Sequence, residues 1–186
     1  MRRSLSVLGV ALAATLQGCN LGPTAPVEFE ANANAPYRLA PGDRLRVIVF
    51  GQDSLSNSFA VDSSGHVSMP LIGLVPATGR TPAQLARDIE DKLREGYVRQ
   101  PRVSVEVEAY RPFFVLGEVT TSGQYPYVNG MNVETAVAIG GGFTARAQKD
   151  AAMLTRIEGG RTITAEVPMT QPVRPGDTIV IQERFF

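Results

Sequence analysis

The sequence has few of the residues that form disulfides or act in catalysis. Its 186 residues include one cysteine, one histidine and no tryptophan, and 18 basic side chains balance 18 acidic ones. A single cysteine cannot form an internal disulfide, so a disulfide framework is excluded. The absence of a basic excess argues against nucleic acid as a partner, because nucleic-acid binding needs a positive surface.

The same scarcity argues against an active site. Catalysis by a Ser-His-Asp or Cys-His arrangement would depend on His66, the only histidine, and a lone histidine is more often structural. Zinc sites built from histidine and cysteine lack ligands. Asp53 and Asp62 could form a carboxylate pair, but aspartates in such loops are usually turn residues. We therefore predict that the protein is not an enzyme and has no metal or cofactor site.

The one cysteine ends the only sustained apolar stretch, residues 5–16, which follows Arg2 and Arg3. The stretch is too short to cross a membrane, since a spanning helix needs about 20 apolar residues. A positive start, a short apolar core and small residues before a cut site describe a secretory signal peptide. The final residues, LQGC at 16–19, resemble the lipobox of bacterial lipoproteins, and the alternative is an ordinary signal peptide with a chance cysteine.

The lipoprotein resemblance implies that residues 1–18 are removed and that Cys19 carries diacylglycerol and an N-acyl chain. Several chains hold a protein stably on a membrane, whereas one does not. Asn20 is not the aspartate that often retains lipoproteins in the inner membrane, so we expect the periplasmic face of the outer membrane. Removing 18 of the 186 residues leaves 168, and residues 19–36, rich in Pro, Ala and Asn, are predicted to be a flexible tether.

Residues 37–110 show strand and helix patterns. Apolar residues alternate in 44–49 and again in 103–107, which predicts half-buried strands. The turn at 62–65 predicts a hairpin between residues 59–61 and 66–69. The clearest helix starts after Thr81, with Pro82 at its first position and Gln84 completing a capping box. Its stripe is predicted to be buried and comprises Leu85, Ile89 and Leu93, and Gly96 is expected to end the helix.

We place a domain boundary at residues 110–112, YRP, and a second domain at 111–186. Its pattern predicts a hairpin in 113–128, a helix at 132–139 stopped by the glycines at 140–142, and a hairpin around 158–161. Because those glycines follow a helix and do not precede one, they cannot offer a helix N-terminus to phosphate. The chain is therefore expected to contain strands and two helices in two units.

The tripeptide Pro-Gly-Asp occurs twice, at 41–43 and 175–177, and each copy precedes an alternating strand. One interpretation is that this tripeptide is simply a good turn. The other is that each copy belongs to a separate small sheet domain.

Several motifs resemble a known family. In the first half these are YRL at 37–39, PGD at 41–43, VD at 61–62 with Gly65, MPLIG at 69–73, GRT at 79–81 and PRV at 101–103, which resemble the polysaccharide-export domain. In the second half VLGEV at 115–119, GQY at 123–125 and GGG at 140–142 resemble the soluble-ligand-binding β-grasp (SLBB) domain. The chain thus resembles outer-membrane polysaccharide export lipoproteins of the Wza type. The fold class implied is α+β, with an N-terminal mixed sheet carrying one helix and a C-terminal β-grasp-like domain.

The resemblance implies a homo-oligomeric ring that exports capsular polysaccharide or exopolysaccharide, with an inner-membrane co-polymerase as partner. Longer members cross the outer membrane by a C-terminal amphipathic helix, for which this sequence has no room after its last strand. Phe185 and Phe186 are interpreted as packing or contact residues. The alternative function is a periplasmic sensor that binds a sugar or small ligand, and an envelope hydrolase is disfavoured by the missing catalytic residues.

Overall fold

A computed structural model of the chain describes Phe29 and residues 36–184, which form an α+β fold. The first unit contains β1 (Arg44–Val49), β2 (Asn57–Ala60), β3 (His66–Met69), β4 (Gly73–Pro76), α1 (Pro82–Arg94) and β5 (Val103–Ala109). The second unit contains β6 (Phe113–Gly117), β7 (Gly123–Tyr125), α2 (Val133–Ile139), β8 (Ala151–Glu158), β9 (Arg161–Pro168) and β10 (Thr178–Ile181). The predicted signal peptide, Cys19, Phe185 and Phe186 lie outside the described residues, as does most of the predicted tether.

The first unit is built around β1, which lies between β2 and β5 in an antiparallel sheet. Leu45, Val47 and Val49 are buried, and the residues between them face outward or are half-buried. The alternation read from the sequence is confirmed, and it gives the sheet one apolar face that α1 covers.

Helix α1 has the predicted caps and the predicted buried stripe. The Gln84 N–H donates to Thr81 Oγ1 at 3.2 Å, and the Thr81 N–H donates to Gln84 Oε1 at 2.9 Å. The three stripe residues are fully buried in the core of the first unit: Leu85, Ile89 and Leu93. The helix ends at Arg94, and Gly96 follows with φ of +119°, a backbone conformation that favours glycine.

The predicted hairpin between residues 59–61 and 66–69 is wrong. Strand β2 pairs with β1, and β3 pairs with β4 in a separate two-stranded sheet. The turn itself exists, because the Gly65 N–H donates to the Asp62 carbonyl at 3.0 Å. The chain uses this turn to pass from one sheet to the next, and β4, which was not predicted from the sequence, supplies the partner of β3.

The second unit is a five-stranded sheet in the order β7-β6-β10-β8-β9. Strand β10 is parallel to β6 and antiparallel to β8, and the two predicted hairpins, β6–β7 and β8–β9, are confirmed. Helix α2 starts at its N-cap Asn132, whose side chain accepts from the Thr135 N–H at 2.9 Å, and Gly140 is its C-cap. Val133, Ala136 and Val137 of this helix are buried in the core of the second unit. In the part of the chain that the structure describes, no helix has the length and apolar character needed to cross a membrane.

Candidate functional site

The two Pro-Gly-Asp turns have the same backbone geometry. The Asp43 N–H donates to the Ala40 carbonyl at 3.2 Å, and Asp43 Oδ2 accepts from the Ala40 N–H at 2.9 Å. In the second copy the Asp177 N–H donates to the Arg174 carbonyl at 3.1 Å, and Asp177 Oδ2 accepts from the Arg174 N–H at 2.7 Å. Each aspartate therefore closes its own turn by a side-chain hydrogen bond to the residue three positions earlier.

Both aspartates are buried because they lie in register with the apolar face of the following strand. Asp43 precedes the buried residues of β1 and Asp177 those of β10, and the two carboxylates are 0% and 1% exposed. The glycine before each has positive φ, +93° at Gly42 and +86° at Gly176. A buried carboxylate must be compensated by donors, and the two turns obtain those donors from different places.

Asp43 obtains its donors from the N-terminal end of the first unit and from the segment that joins the units. The Tyr37 hydroxyl donates to Asp43 Oδ2 at 2.6 Å, and the Arg111 N–H donates to Asp43 Oδ1 at 3.0 Å. The Arg111 guanidinium lies 3.6 Å from Asp43 Oδ2 and donates to the Tyr37 hydroxyl oxygen at 3.1 Å. We call Tyr37, Asp43 and Arg111 the junction cluster.

Asp177 obtains its donors inside the second unit. Arg156 of β8 donates through Nε to Asp177 Oδ1 at 2.9 Å and through Nη2 to Asp177 Oδ2 at 2.7 Å. Nη2 also donates to the Pro172 carbonyl at 3.0 Å, and Arg156 is only 4% exposed. Two parallel hydrogen bonds between a guanidinium and a carboxylate make this a strong, oriented ion pair.

Arg111 touches both turns. A methyl group at Gly176 would lie 2.6 Å from Arg111 Nε, and one at Gly42 would lie 3.5 Å from Arg111 Cβ. The Gly176 N–H donates to the Pro112 carbonyl at 3.0 Å, and the Phe114 N–H donates to the Asp177 carbonyl at 2.9 Å. The two turns therefore meet at residues 111–112, where the chain passes from the first unit to the second.

Three tyrosines continue the contact between the units. The Tyr110 ring lies edge-on to Tyr37, with centroids 4.9 Å apart, and edge-on to Tyr127, with centroids 5.4 Å apart. Burial, followed by the hydrogen bond to the Asp43 carboxylate, raises the pKa of Tyr37 well above its ordinary value. Burial also raises the pKa of Tyr127. Both hydroxyls are therefore neutral at physiological pH.

The acidic and imidazole side chains considered from sequence have local roles. Asp62 accepts from the His66 N–H at 2.9 Å and from the Ser64 hydroxyl at 2.7 Å, and the first of these bonds is the main cause of its lowered pKa. His66 Nδ1 lies 3.0 Å from Ser64 Oγ, and Asp53 begins a short 3-10 helix. Among the residues that the structure describes, no group of three or more His, Cys, Asp or Glu side chains could hold a metal ion.

The residues that form these networks have no role in the predictions made from sequence. The PGD repeat and the YRP boundary are visible in the sequence, but no local pattern connects Asp43 with Arg111. Arg156 had a readable signal, because it follows Ala152 and Leu154 on the buried face of β8. Phe29 lies within the predicted tether, yet the structure buries it in the core of the second unit.

Two hollows on the surface are open grooves. One, of about 690 Å³, lies between the start of α1, β5 and the segment around Pro36. The other, of about 560 Å³, follows β9 at the edge of the second sheet. Neither has the closed apolar shape of a small-ligand pocket.

Two family models match the chain. Residues 31–108 match a model described as polysaccharide biosynthesis/export protein, and residues 112–167 match the SLBB domain. The two matches flank Tyr110 and Arg111, at the meeting point of the two turns.

The chain is also similar to curated proteins of polysaccharide production and export. The exopolysaccharide production protein ExoF of Rhizobium meliloti is 37% identical over an alignment of 118 residues that covers 57% of this chain and 28% of ExoF. The EPS I polysaccharide export outer membrane protein EpsA of Ralstonia nicotianae is 27% identical over 188 aligned residues, 80% of this chain and 48% of EpsA. The polysialic acid transport protein KpsD of Escherichia coli is 29% identical over 94 residues, 50% of this chain and 17% of KpsD. The chain spans less than half the length of each of these relatives.

Proposed function

Because the chain belongs to the polysaccharide export family, we propose that it is one subunit of a ring that guides a secreted polysaccharide through the periplasm. The family consists of transport components and not enzymes, and the chain is accordingly not an enzyme. The cargo is a capsular polysaccharide or exopolysaccharide, and the names of the similar proteins refer to exopolysaccharide, EPS I polysaccharide and polysialic acid. The observation that carries this proposal is the match of both units, in chain order, to the two domain models.

The junction cluster supports assembly into a ring. A single chain of this size cannot enclose a channel for a sugar polymer, so several copies are required. Identical subunits joined head to tail close into a ring only if each holds a fixed shape. Asp43 bonds the Arg111 backbone and the Tyr37 hydroxyl at once, and these bonds restrict movement of the segment that joins the two units.

The open grooves fit a conduit better than a sensor. A conduit must let its cargo leave, so it should not hold the polymer in a deep site. A sensor for a sugar or small ligand would need a closed pocket with converging polar groups. The grooves beside α1 and β9 are both open to solvent and provide no such enclosure.

The anchor and the partners complete the proposal. Cys19 carries the diacylglycerol and N-acyl lipid, and the protein faces the periplasm from the outer membrane, the location named for EpsA. An inner-membrane co-polymerase docks beneath the ring and delivers the polysaccharide. The lipids also concentrate the subunits in two dimensions, so weak contacts suffice on the membrane and fail in dilute solution.

Crosslinking on intact, polysaccharide-secreting cells tests the ring. We expect a ladder of crosslinked species that ends at one closed size. The matched control is Cys19→Ser, which should block lipidation, leave an uncleaved or mislocalised precursor and shorten the ladder. A monomer without crosslinked species in secreting cells would contradict the ring, and a Cys19→Ser protein of normal size in the outer membrane would contradict the anchor.

A further inference from the structure

Phe29 packs against the second unit although it precedes the first unit in the chain. Its side chain is 6% exposed and belongs to the core cluster that also contains Leu154 and Ile179. Between Cys19 and Tyr37 it is the only aromatic residue. The segment predicted to be a tether therefore has one aromatic side chain, and that side chain is buried.

The contact that Phe29 makes is chemically specific. The Arg156 guanidinium uses its edge for Asp177 and Pro172, and the face of the guanidinium cannot form hydrogen bonds. The Phe29 ring covers Arg156, with 4.8 Å between the Arg156 Cζ atom and the ring centroid. This is a cation–π contact with a desolvated arginine, the arrangement in which such contacts are strongest. Phe29 thus shields the buried ion pair of the second unit from water.

The position of Phe29 also sets how far the fold can move from a lipid on Cys19. Phe29 lies ten positions after Cys19, which corresponds to at most about 33–36 Å of extended chain. If the first attached residue were Tyr37, eighteen residues would allow about 59–65 Å. A docked Phe29 therefore roughly halves the reach of the anchor and transfers its attachment point from the first unit to the second.

We propose that Phe29 is a docking residue that fixes the N-terminal segment to the second unit against Arg156, so that the second unit is the one held at the membrane surface. The membrane half of this inference rests on the proposed lipidation of Cys19, whereas the docking does not. The first unit then extends away from the lipid. Its remote end includes the loop after α1, because Val49 pairs with Val103 at the end of the β1–β5 ladder opposite Asp43, and the Val103 N–H donates to Glu90 Oε1 of α1 at 2.8 Å.

Docking can be measured by fluorescence because the chain has no tryptophan. In the full chain, Phe29→Trp should emit at shorter wavelength than free tryptophan and be quenched several-fold less by acrylamide than Tyr97→Trp. Tyr97 is the matched control, since it is an aromatic residue that is 54% exposed. Equal quenching of the two variants in folded protein would overturn the docking.

Proteolysis tests the unmodified protein and so does not depend on how well tryptophan fits. Phe29 is flanked by Glu28 and Glu30, and a glutamate-specific protease should cut at these sites many-fold more slowly in the wild type than in Phe29→Ala. Leu21→Ala changes another apolar residue of the segment and should leave the rate unchanged. Wild-type cleavage as fast as that of a folded Phe29→Ala variant would overturn the docking.

Energy transfer to an acceptor lipid tests which unit lies at the membrane. If Cys19 is acylated, an introduced cysteine is the only free thiol of the protein isolated from the outer membrane. A donor fluorophore can therefore be attached at Thr170→Cys in the second unit or at Arg99→Cys in the first. We expect stronger transfer from position 170, and a smaller difference when Phe29→Ala is added. Stronger transfer from position 99, or no effect of Phe29→Ala, would overturn the inference. Loss of membrane association in the parent protein would instead contradict the anchor of the proposed function, and the fluorescence result would still decide the docking.

Discussion

The two Pro-Gly-Asp turns share one backbone but neutralise their aspartates differently. Asp177 pairs with Arg156, a buried arginine of its own sheet, through two parallel hydrogen bonds. Asp43 accepts from a tyrosine hydroxyl and two backbone N–H groups, and its guanidinium partner, Arg111, is 26% exposed and lies 3.6 Å away. The Asp177 turn therefore stabilises the interior of the second unit, and the Asp43 turn links the two units.

The difference shows that the partner, and not the turn, decides the role of each copy. A buried ion pair is costly to desolvate, and removing one of its members leaves the other uncompensated. A carboxylate held by neutral donors depends less on any single partner. Removing Arg156 alone should therefore strongly destabilise the second unit. Removing any one partner of Asp43 should weaken the link between the units by a smaller amount.

The largest expected effect comes from breaking the internal pair. Arg156→Ala leaves the Asp177 carboxylate buried without its cation and should lower the free energy of unfolding by about 3–5 kcal/mol in urea titrations. The matched control is Arg111→Ala, which leaves Asp43 with its hydroxyl and N–H donors and should cost no more than about 1–2 kcal/mol. Equal losses for the two variants would show that the two turns do not differ in the way described.

A substitution in the core of the first unit tests whether the junction cluster makes the two units unfold together. Ile89 is fully buried in the first unit, and Ile89→Ala should cost about 2–5 kcal/mol. If the junction cluster couples the units, the Ile89→Ala protein should still unfold in a single transition. The matched variant of the second unit, Leu154→Ala, should do the same. Two separate transitions in the wild type would contradict the coupling, and a folded Ile89→Asp variant would show that the helix stripe faces water.

The two glycines give a smaller and more local test. Gly42→Ala and Gly176→Ala each force a side chain into positive φ, at about 1–2 kcal/mol. Gly176→Ala should cost more, because its new methyl group would lie 2.6 Å from Arg111 Nε. In an Arg111→Ala background the excess should vanish, which a double-mutant cycle measures. An excess that persists would place its cause outside Arg111.

The smallest effect concerns the hydroxyl of the junction cluster. Tyr37→Phe removes one donor to Asp43 and should cost about 1 kcal/mol at neutral pH. The pKa of Tyr37 is raised in the fold above the value of about 10 expected when unfolded, so the folded state binds the proton more tightly. Stability should therefore fall as pH rises above about 10, and Tyr37→Phe should flatten this fall. If the free energy of unfolding fell equally steeply with pH in the wild type and in Tyr37→Phe, Tyr37 would not be the cause of the fall.

Local patterns predicted most of the elements and few of the contacts between them. The caps of α1, its buried stripe and the β8–β9 hairpin depend on residues close in sequence, so periodicity and turn chemistry are enough to predict them. The partner of β2 is not a local property. A turn at residues 62–65 is compatible with a hairpin or with a step between sheets, and only the long-range pairing of β2 with β1 and the separate pairing of β3 with β4 distinguish the two.

The networks at the turns were missed for a physical reason. The Asp43–Arg111 bond joins residues 68 positions apart, which no spacing rule predicts. Arginine is usually exposed, so Arg156 was not recognised as buried, although it shares the register of Leu154. Phe29 stands in a segment without periodicity, and only the assembled second unit offers it a place.

The position of β10 has a consequence for how the protein is made. The last strand of the described chain lies in the middle of the second sheet, between β6 and β8. Until residues 178–181 have been synthesised and delivered, the β6–β7 and β8–β9 hairpins each present an open edge that can pair with the wrong strand. Contacts of such long sequence separation also form slowly. Biogenesis of this unit should therefore depend on a holding chaperone during delivery, and its yield should respond to growth temperature more steeply than its equilibrium stability does.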